Sequence, residues 1–415
     1  AIAGAARFSS VWEFDDFWKR SNTFHGFLRF VDAVEQKWGK SGDDLKPMRD
    51  LRSEMIGKNG PYFDRAIGGD GVWADDYGWC GISCLAAQDY LRSIGDDSAA
   101  DMYLDRAERC WQWMTQTGYD GTDAATPVKH GCGNTSPERR KASGTYGTRN
   151  TVTNVNLLLL SLRLYAATKK SDYLSMAWSQ YQWFSAWMTI EYKSLDDGRY
   201  VRQIGLGPTY ALIHERPMAE DTYVETSDPG WERGWLWSGD QGLLMAAMAE
   251  VVLMQNDFRQ FPGFDPAFAR DKCNYIAAGI EHYLFGKDAV LREAPFRAAF
   301  NPPPPNVNYA NDYVGGRGVL LRYASEASVR QARKTTFNLD GVRKTAAAVW
   351  DSRVSPNQFT PLWNSAGDAA FNAGFVAAWG TGVSTALTWK IDAAQLAGVL
   401  QANGLDAITA AIRAS

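Results

Sequence analysis

Val152-Thr153-Asn154-Val155-Asn156-Leu157-Leu158-Leu159-Leu160-Ser161-Leu162-Arg163-Leu164-Tyr165-Ala166 is the stretch that decides the fold. Apolar residues recur at helical spacing, yet they also occupy the positions where a surface helix would place charge. A helix that is apolar nearly all round has no water-facing stripe and must be surrounded by protein. Gly242–Met254, with Leu243, Leu244, Met248, Val251 and Val252, reads the same way. Two such helices predict an inner layer wrapped by an outer one.

A similar unit recurs along the chain. A loop rich in Gly, Asp, Asn and aromatics leads to a polar residue and then to an apolar helix. Six units open near Asn22, Asp76, Asn154, Asp240, Asp312 and Ser365. Between them, amphipathic helices are expected over 43–57, 98–117, 171–191, 265–286, 327–350 and 391–413, each with charge on one face as an outer helix requires. The alternation of inner and outer helices predicts an all-α (α/α)6 barrel of about twelve helices. Strand signals are sparse, with Gly198–Ile204 the best place for a short hairpin. The loops around 118–151, 192–239 and 287–311 are long and should crowd one end of the barrel, where long irregular segments usually carry function. Pro302-Pro303-Pro304-Pro305 reads as a stiff polyproline stretch inside the last of them. With no linker in the sequence, residues 1–415 are expected to form a single domain, and a monomer.

Composition narrows the ligand. A net charge of −4 lacks the basic footprint of a nucleic-acid binder. No apolar run approaches the roughly 18 residues that suggest a membrane span. The 17 Trp, 18 Tyr and 19 Phe are plentiful, and aromatic faces pack on the C–H faces of sugars as well as in helix seams. Of five cysteines, Cys80 and Cys84 lie one turn apart and bridge poorly, whereas Cys110, Cys132 and Cys273 are freer to pair. No CxxC or Cys/His cluster and no HExxH occurs, so neither zinc nor another cofactor is expected. The small residues of Ala1-Ile2-Ala3-Gly4-Ala5-Ala6 resemble a cleaved export signal's border, which predicts a secreted or periplasmic protein.

Chemistry enters with Trp73-Ala74-Asp75-Asp76-Tyr77-Gly78-Trp79, two adjacent acids in an aromatic frame at a helix start. Neighbouring residues diverge by about 100° around a helix, but both side chains can reach a ligand above its first turn. Carboxyl groups roughly 5–5.5 Å apart suit a retaining glycosidase, and an inverting one needs about 6.5–9.5 Å to admit a water. Two acids so close cannot both ionise freely. One should stay protonated near neutral pH while the helix N-terminus favours the other as the anion.

The same residues resemble the signature of glycoside hydrolase family 76, the endo-α-1,6-mannanases. Phe17-Trp18-Lys19-Arg20-Ser21-Asn22 resembles that family's first inner helix, and Arg149-Asn150-Thr151-Val152-Thr153-Asn154 its segment before the third. Ser238-Gly239-Asp240-Gln241-Gly242-Leu243-Leu244 and Val319-Leu320-Leu321-Arg322-Tyr323 resemble two later helices, so the resemblance spans roughly 12–390. It implies an (α/α)6 barrel and a retaining hydrolase in which Asp75 is the nucleophile and Asp76 the acid/base. Cys80 stands where the family often has a second Trp, and Asp240 replaces its usual Asn. Both departures leave sugar and linkage open: the best reading is an α-1,6-mannan, with glucan, fructan or arabinan as alternatives, and with transglycosylation as a second outcome of the same chemistry.

Around the acid pair, the expected substrate contacts are Trp79, Asn154, Arg149, Trp235, Trp237, Asp240, Gln241 and Arg317. Trp79 could stack on a sugar or plug the barrel. Asn154, Asp240 and Gln241 open inner helices, where they could bind hydroxyls or cap. Arg149 and Arg317 lie in loops at the same end, as a hydroxyl clamp or a loop salt bridge. Trp231, Trp235 and Trp237 cluster in one glycine-containing loop and suggest a sugar platform. Four histidines, His25, His130, His214 and His282, are scattered and read as structural. A catalytically silent carbohydrate-binding protein is the competing class. An isoprenoid cyclase needs a third acid at a fixed offset, and those offsets hold Trp73 and Trp79.

Overall fold

The computed structural model describes residues 2–14, 17–40, 42–121, 131–187, 212–213, 215, 237–285, 288–293, 315–333, 338–354, 357–360, 363 and 393–415. Its α-helices are α1 (Ile2–Phe8), α2 (Phe17–Trp38), α3 (Lys46–Ala66), α4 (Ala74–Ser93), α5 (Asp97–Gly118), α6 (Pro137–Ser143), α7 (Thr151–Thr168) and α8 (Ser171–Trp187). They continue with α9 (Ser238–Leu253), α10 (Gln255–Phe258), α11 (Pro266–Gly279), α12 (Gly316–Ala324), α13 (Ala327–Arg333), α14 (Leu339–Asp351) and α15 (Ala393–Arg413). Among the described residues there are isolated β-bridges, such as Tyr119 with Cys132 and Asn134 with Thr148, and no sheet.

Six helices form a closed ring, each packed on the next: α2, α4, α7, α9, α12, α15 and back to α2. This is the inner layer of an (α/α)6 barrel, with α3, α5, α8, α11 and α14 outside it. As the apolar stretch predicts, every residue from Thr151 to Leu162 of α7 is buried, and α9 is buried from Ser238 to Val252. The ring helices run parallel, and α4 with α7 and α9 with α12 are in register, while α15 begins about two turns earlier than α12, its Asn403 meeting Gly318. Gly78, in the second turn of α4, faces Asn156 in the second turn of α7, where an added Cβ would lie 2.6 Å from the asparagine Cβ. Gly242 of α9 faces Leu320 of α12 in the same way, 2.6 Å from its Cα. The absent side chains bring these backbones close, and the common direction gathers the inner N-termini at one end.

Among the outer helices, α5 and α11 begin with side-chain caps, Asp96 accepting from Ala99 N at 3.1 Å and Asp265 from Ala267 N at 2.8 Å. Aromatics fill the outer seams: Trp178 of α8 stacks on Phe261 at 5.1 Å and 4°, and Trp111 of α5 meets Tyr173 edge to face at 4.9 Å.

Several expectations are corrected. The helix over 391–413, expected outside, is α15, a ring member packed between α12 and α2. The outer helix expected over 327–350 is two helices, α13 and α14. The first outer helix, expected over 43–57, runs on to Ala66 through Pro61 after a 3-10 turn at Asp43–Leu45. All five cysteines are free and buried, so Cys110, Cys132 and Cys273 are not paired. The Gly198–Ile204 hairpin, Pro302–Pro305, Asp312 and Ser365 lie outside the described residues.

Candidate active site

Asp75 and Asp76 occupy the first turn of α4, after Trp73 in extended conformation (φ −81°, ψ 158°). The turn is fixed from both sides. Asp76 Oδ2 accepts the N–H of Trp73 at 3.2 Å, and Ala74 N donates to Thr135 O at 2.9 Å. Asp76 therefore closes its own helix end through one of its two oxygens. Both acids are half-buried.

Behind them stands the segment 131–135, laced to its neighbours. Gly133 N donates to Gly118 O at 2.8 Å and Asn134 N to Thr148 O at 2.7 Å. A Cβ on Gly118 would lie 2.8 Å from both Ala74 Cβ and Cys132 Sγ, so Cys132 packs directly beside the acid-bearing turn. Burial, and then the negative charge of Asp75, push the Cys132 thiol well above the usual range and keep it neutral.

Asp75 and Trp79 are one turn apart on the same face of α4. Trp79 is buried and points across the barrel, meeting Trp237 edge to face with centroids 6.3 Å apart. Trp237 precedes α9, two helices further round the ring. The two indoles thus meet inside the ring, Trp79 one turn along α4 from Asp75.

The remaining expected residues converge on the same end through the helix starts. Asn154 is fully buried and clasps one backbone unit: Oδ1 accepts from Cys132 N at 2.6 Å, and Nδ2 donates to Cys132 O at 2.9 Å and Asn150 O at 2.7 Å. Arg149 donates to Asp120 Oδ2 at 2.7 Å and Gly147 O at 3.0 Å, the loop salt bridge of the two readings. Gln241 clamps Ile213, accepting its N–H at 2.9 Å and donating to its carbonyl at 2.8 Å. Arg317 donates to Leu291 O at 3.2 Å and lies 3.9 Å over the Trp363 ring. Asp240 is fully buried in the first turn of α9. Trp231 and Trp235 lie outside the described residues.

Two acids that the sequence reading passed over belong to this end. Glu215 receives the start of α7, its Oε2 accepting from Val152 N at 2.9 Å and its carbonyl from Thr151 N at 3.0 Å. Glu293 receives the start of α9, Oε1 accepting from Ser238 N at 2.9 Å. Each is one of several acids in a long loop, and no local pattern marks it as a cap for a helix elsewhere. Parallel inner helices explain their presence, since amide N-termini gathered at one mouth attract carboxylates. Among the described residues, no group of His, Cys, Asp and Glu is placed to hold a metal ion.

No protein-family model matches the sequence, and no curated protein matches it. Solved structures do match the fold. An inactive α-1,6-mannanase of glycoside hydrolase family 76 from Salegentibacter sp., altered at two consecutive aspartates and bound to α-1,6-mannotetrose, is 14% identical over 99% of both chains, with a TM-score of 0.55. A family 76 mannosidase from Bacteroides thetaiotaomicron is 14% identical over 96% of this chain and 87% of its own, at 0.56. Dfg5 of Chaetomium thermophilum, in complex with glucosamine, is 14% identical over 95% of this chain and 80% of its own, at 0.59. The fold matches that of family 76, as the sequence resemblance implies.

Proposed function

We propose that this chain is a retaining glycosidase acting on an α-linked mannan, with Asp75 as nucleophile and Asp76 as acid/base. The observation that carries this reading is that two consecutive carboxylates stand, half-buried, on the first turn of an inner helix, one turn from the paired Trp79 and Trp237 indoles. The mannanase from Salegentibacter, which was inactivated at two consecutive aspartates, supports the same assignment.

In the first step Asp75 attacks the anomeric carbon, the glycosidic C–O bond breaks, and the proton of Asp76 passes to the departing oxygen. This leaves a glycosyl ester on Asp75 and Asp76 as carboxylate. In the second step Asp76 takes a proton from water, whose oxygen attacks the anomeric carbon and releases Asp75. A sugar hydroxyl in place of water gives transglycosylation. The chain's own part is positioning. The Trp73 and Ala74 hydrogen bonds fix the turn, and the 131–135 wall shields one side of Asp75.

The ring closure from α15 to α2 joins the two ends of the chain and supports one catalytic domain, which we take to be monomeric and exported. Asp75→Asn and Asp76→Asn should each lower cleavage by about 100-fold or more. Reducing-end release and product mass spectrometry on α-mannans, glucans, fructans, arabinans and glucosamine-containing glycans test this. Cleavage that survives both substitutions sinks the assignment.

A further inference from the structure

Glu293 is 3% exposed and takes no part in the two-carboxylate chemistry. Its segment, 288–293, is pinned from three sides: Arg292 N donates to Leu284 O at 2.8 Å, Leu291 N to Thr345 Oγ1 at 2.9 Å, and Arg317 Nη1 to Leu291 O at 3.2 Å. That rigid strip delivers the carboxylate to the start of α9, where Oε1 takes the Ser238 N–H. Its second oxygen lies beside Trp237. A Cβ on Gly316 would be 2.5 Å from Trp237 Nε1 and 2.9 Å from Glu293 Oε2, so the indole N–H edge and the carboxylate share the space of one missing side chain. The six-membered ring of the same indole lies against Gly239, and its edge meets Trp79.

We propose that Glu293 is a positioning residue that holds the Trp237 indole against Trp79 as a platform for the sugar bound beside the acid pair, and so sets affinity for the glycan. This rests on the glycosidase reading. Trp237 precedes α9 on extended backbone (φ −135°, ψ 134°), just outside the helix's own ladder. The carboxylate borders the electropositive N–H edge across the Gly316 position. A platform fixed before the ligand arrives spares the cost of ordering it on binding.

The experiment uses the Asp75→Asn/Asp76→Asn chain, in which turnover is removed, and titrates it with α-1,6-mannotetrose by calorimetry. Glu293→Gln keeps the shape and an acceptor for Ser238 N–H, and Trp237→Phe keeps a ring without the N–H edge. Each should weaken binding by about tenfold, and the double variant by little more than either, because both remove one interaction. Gly316→Ala, which wedges a methyl between the two groups while keeping both, should weaken binding likewise and carries the test if Glu293→Gln does not fold. A purely structural role would lower the melting temperature and the number of binding-competent molecules at unchanged affinity. Unchanged affinity in the folded variants, or full additivity, overturns the proposal. Failure of the unsubstituted parent to bind overturns the glycosidase reading as well.

Discussion

Arg322 and Asp406 form a bidentate ion pair inside the barrel, Nε to Oδ1 at 2.9 Å and Nη2 to Oδ2 at 2.7 Å, with both side chains buried. Arg322 Nη1 also donates to Asn22 Oδ1 at 2.7 Å. One guanidinium therefore ties α12 to α15 and α2, at the seam where the end of the chain meets its beginning. Further toward the C-terminal ends of the ring helices, Arg163 bridges Glu250 and Glu326, each at 2.7 Å. Charge pairs thus tie the bodies of the ring helices together, while acceptors from loops and side chains cap their starts.

Arg322→Met should unfold the chain more readily, by about 3–5 kcal/mol, because it strands the Asp406 carboxylate without its counter-ion. Adding Asp406→Leu should recover most of the loss, since two apolar side chains need no pairing. Urea denaturation of the three proteins measures both effects. Equal destabilisation by the single and double variants would show that the pair does not act as a unit.

This seam also shows where sequence reading stopped. The inner helices α7 and α9 were legible because they are apolar on all sides, and the acid pair because two charges at an aromatic helix start are conspicuous. Helix α15 carries Gln401, Asn403, Asp406 and Thr409, which look like a solvent face. Each is buried and partnered: Gln401 Nε2 donates to Gly4 O at 2.7 Å, Asn403 Oδ1 accepts from Gly318 N, and Thr409 donates to Leu405 O at 2.8 Å. A buried polar face and a wet one are alike in periodicity and differ only in partners, which come from distant segments. The same holds at the helix starts. Asn154 and Gln241 were visible as helix openers and Arg149 as a loop cation, while Cys132, Ile213 and Asp120, which they grip, come from loops whose paths the pattern does not dictate.

His25 makes the barrel interior sensitive to acid. Its Nε2 lies 3.2 Å from Arg29 Nε and its Nδ1 3.4 Å from Arg322 Nη1, so both ring nitrogens face guanidinium donors. Burial first, then the charges of Arg322, Arg29, Arg163 and Arg413, hold its pKa well below the usual 6.5. The unfolded chain therefore takes up a proton that the folded chain refuses, and stability is lost as pH falls from about 6.5 toward the folded pKa. Asp32, Glu250 and Asp406 are shifted upward, chiefly by burial, and act with opposite sign, their contribution fading as pH rises through their folded values. His25→Gln isolates the histidine. Wild type should lose stability relative to this variant between about pH 6.5 and 5, with a constant difference from 7 to 8. Parallel denaturation curves from pH 5 to 8 would contradict this origin.

Asn154→Ala should cost about 3 kcal/mol, since it leaves the Cys132 N–H, the Cys132 carbonyl and the Asn150 carbonyl without the amide that satisfies them. Asn154→Asp should fare little better, because a carboxylate accepts the N–H but cannot donate to two carbonyls. The segment it frees packs beside the Asp75 turn, so kcat on a cleaved glycan should fall more than KM rises. A melting temperature near wild type with a raised KM would instead mark Asn154 as a direct sugar contact.

Retention can be read from azide adducts. If Asp75 forms the glycosyl ester, Asp75→Ala removes the nucleophile and leaves a cavity that azide can enter on an activated α-mannoside, giving the inverted β-azide. Asp76→Ala still forms the ester when the leaving group needs no proton, and azide then displaces Asp75 from the other face, giving the α-azide with net retention. The two variants should therefore yield azides of opposite anomeric configuration, which proton NMR distinguishes. With the wild-type chain, the first product formed should be the α-anomer before mutarotation. A β-anomer there, or the same azide from both variants, would mean that the adjacent carboxylates flank a water instead of bonding to the sugar.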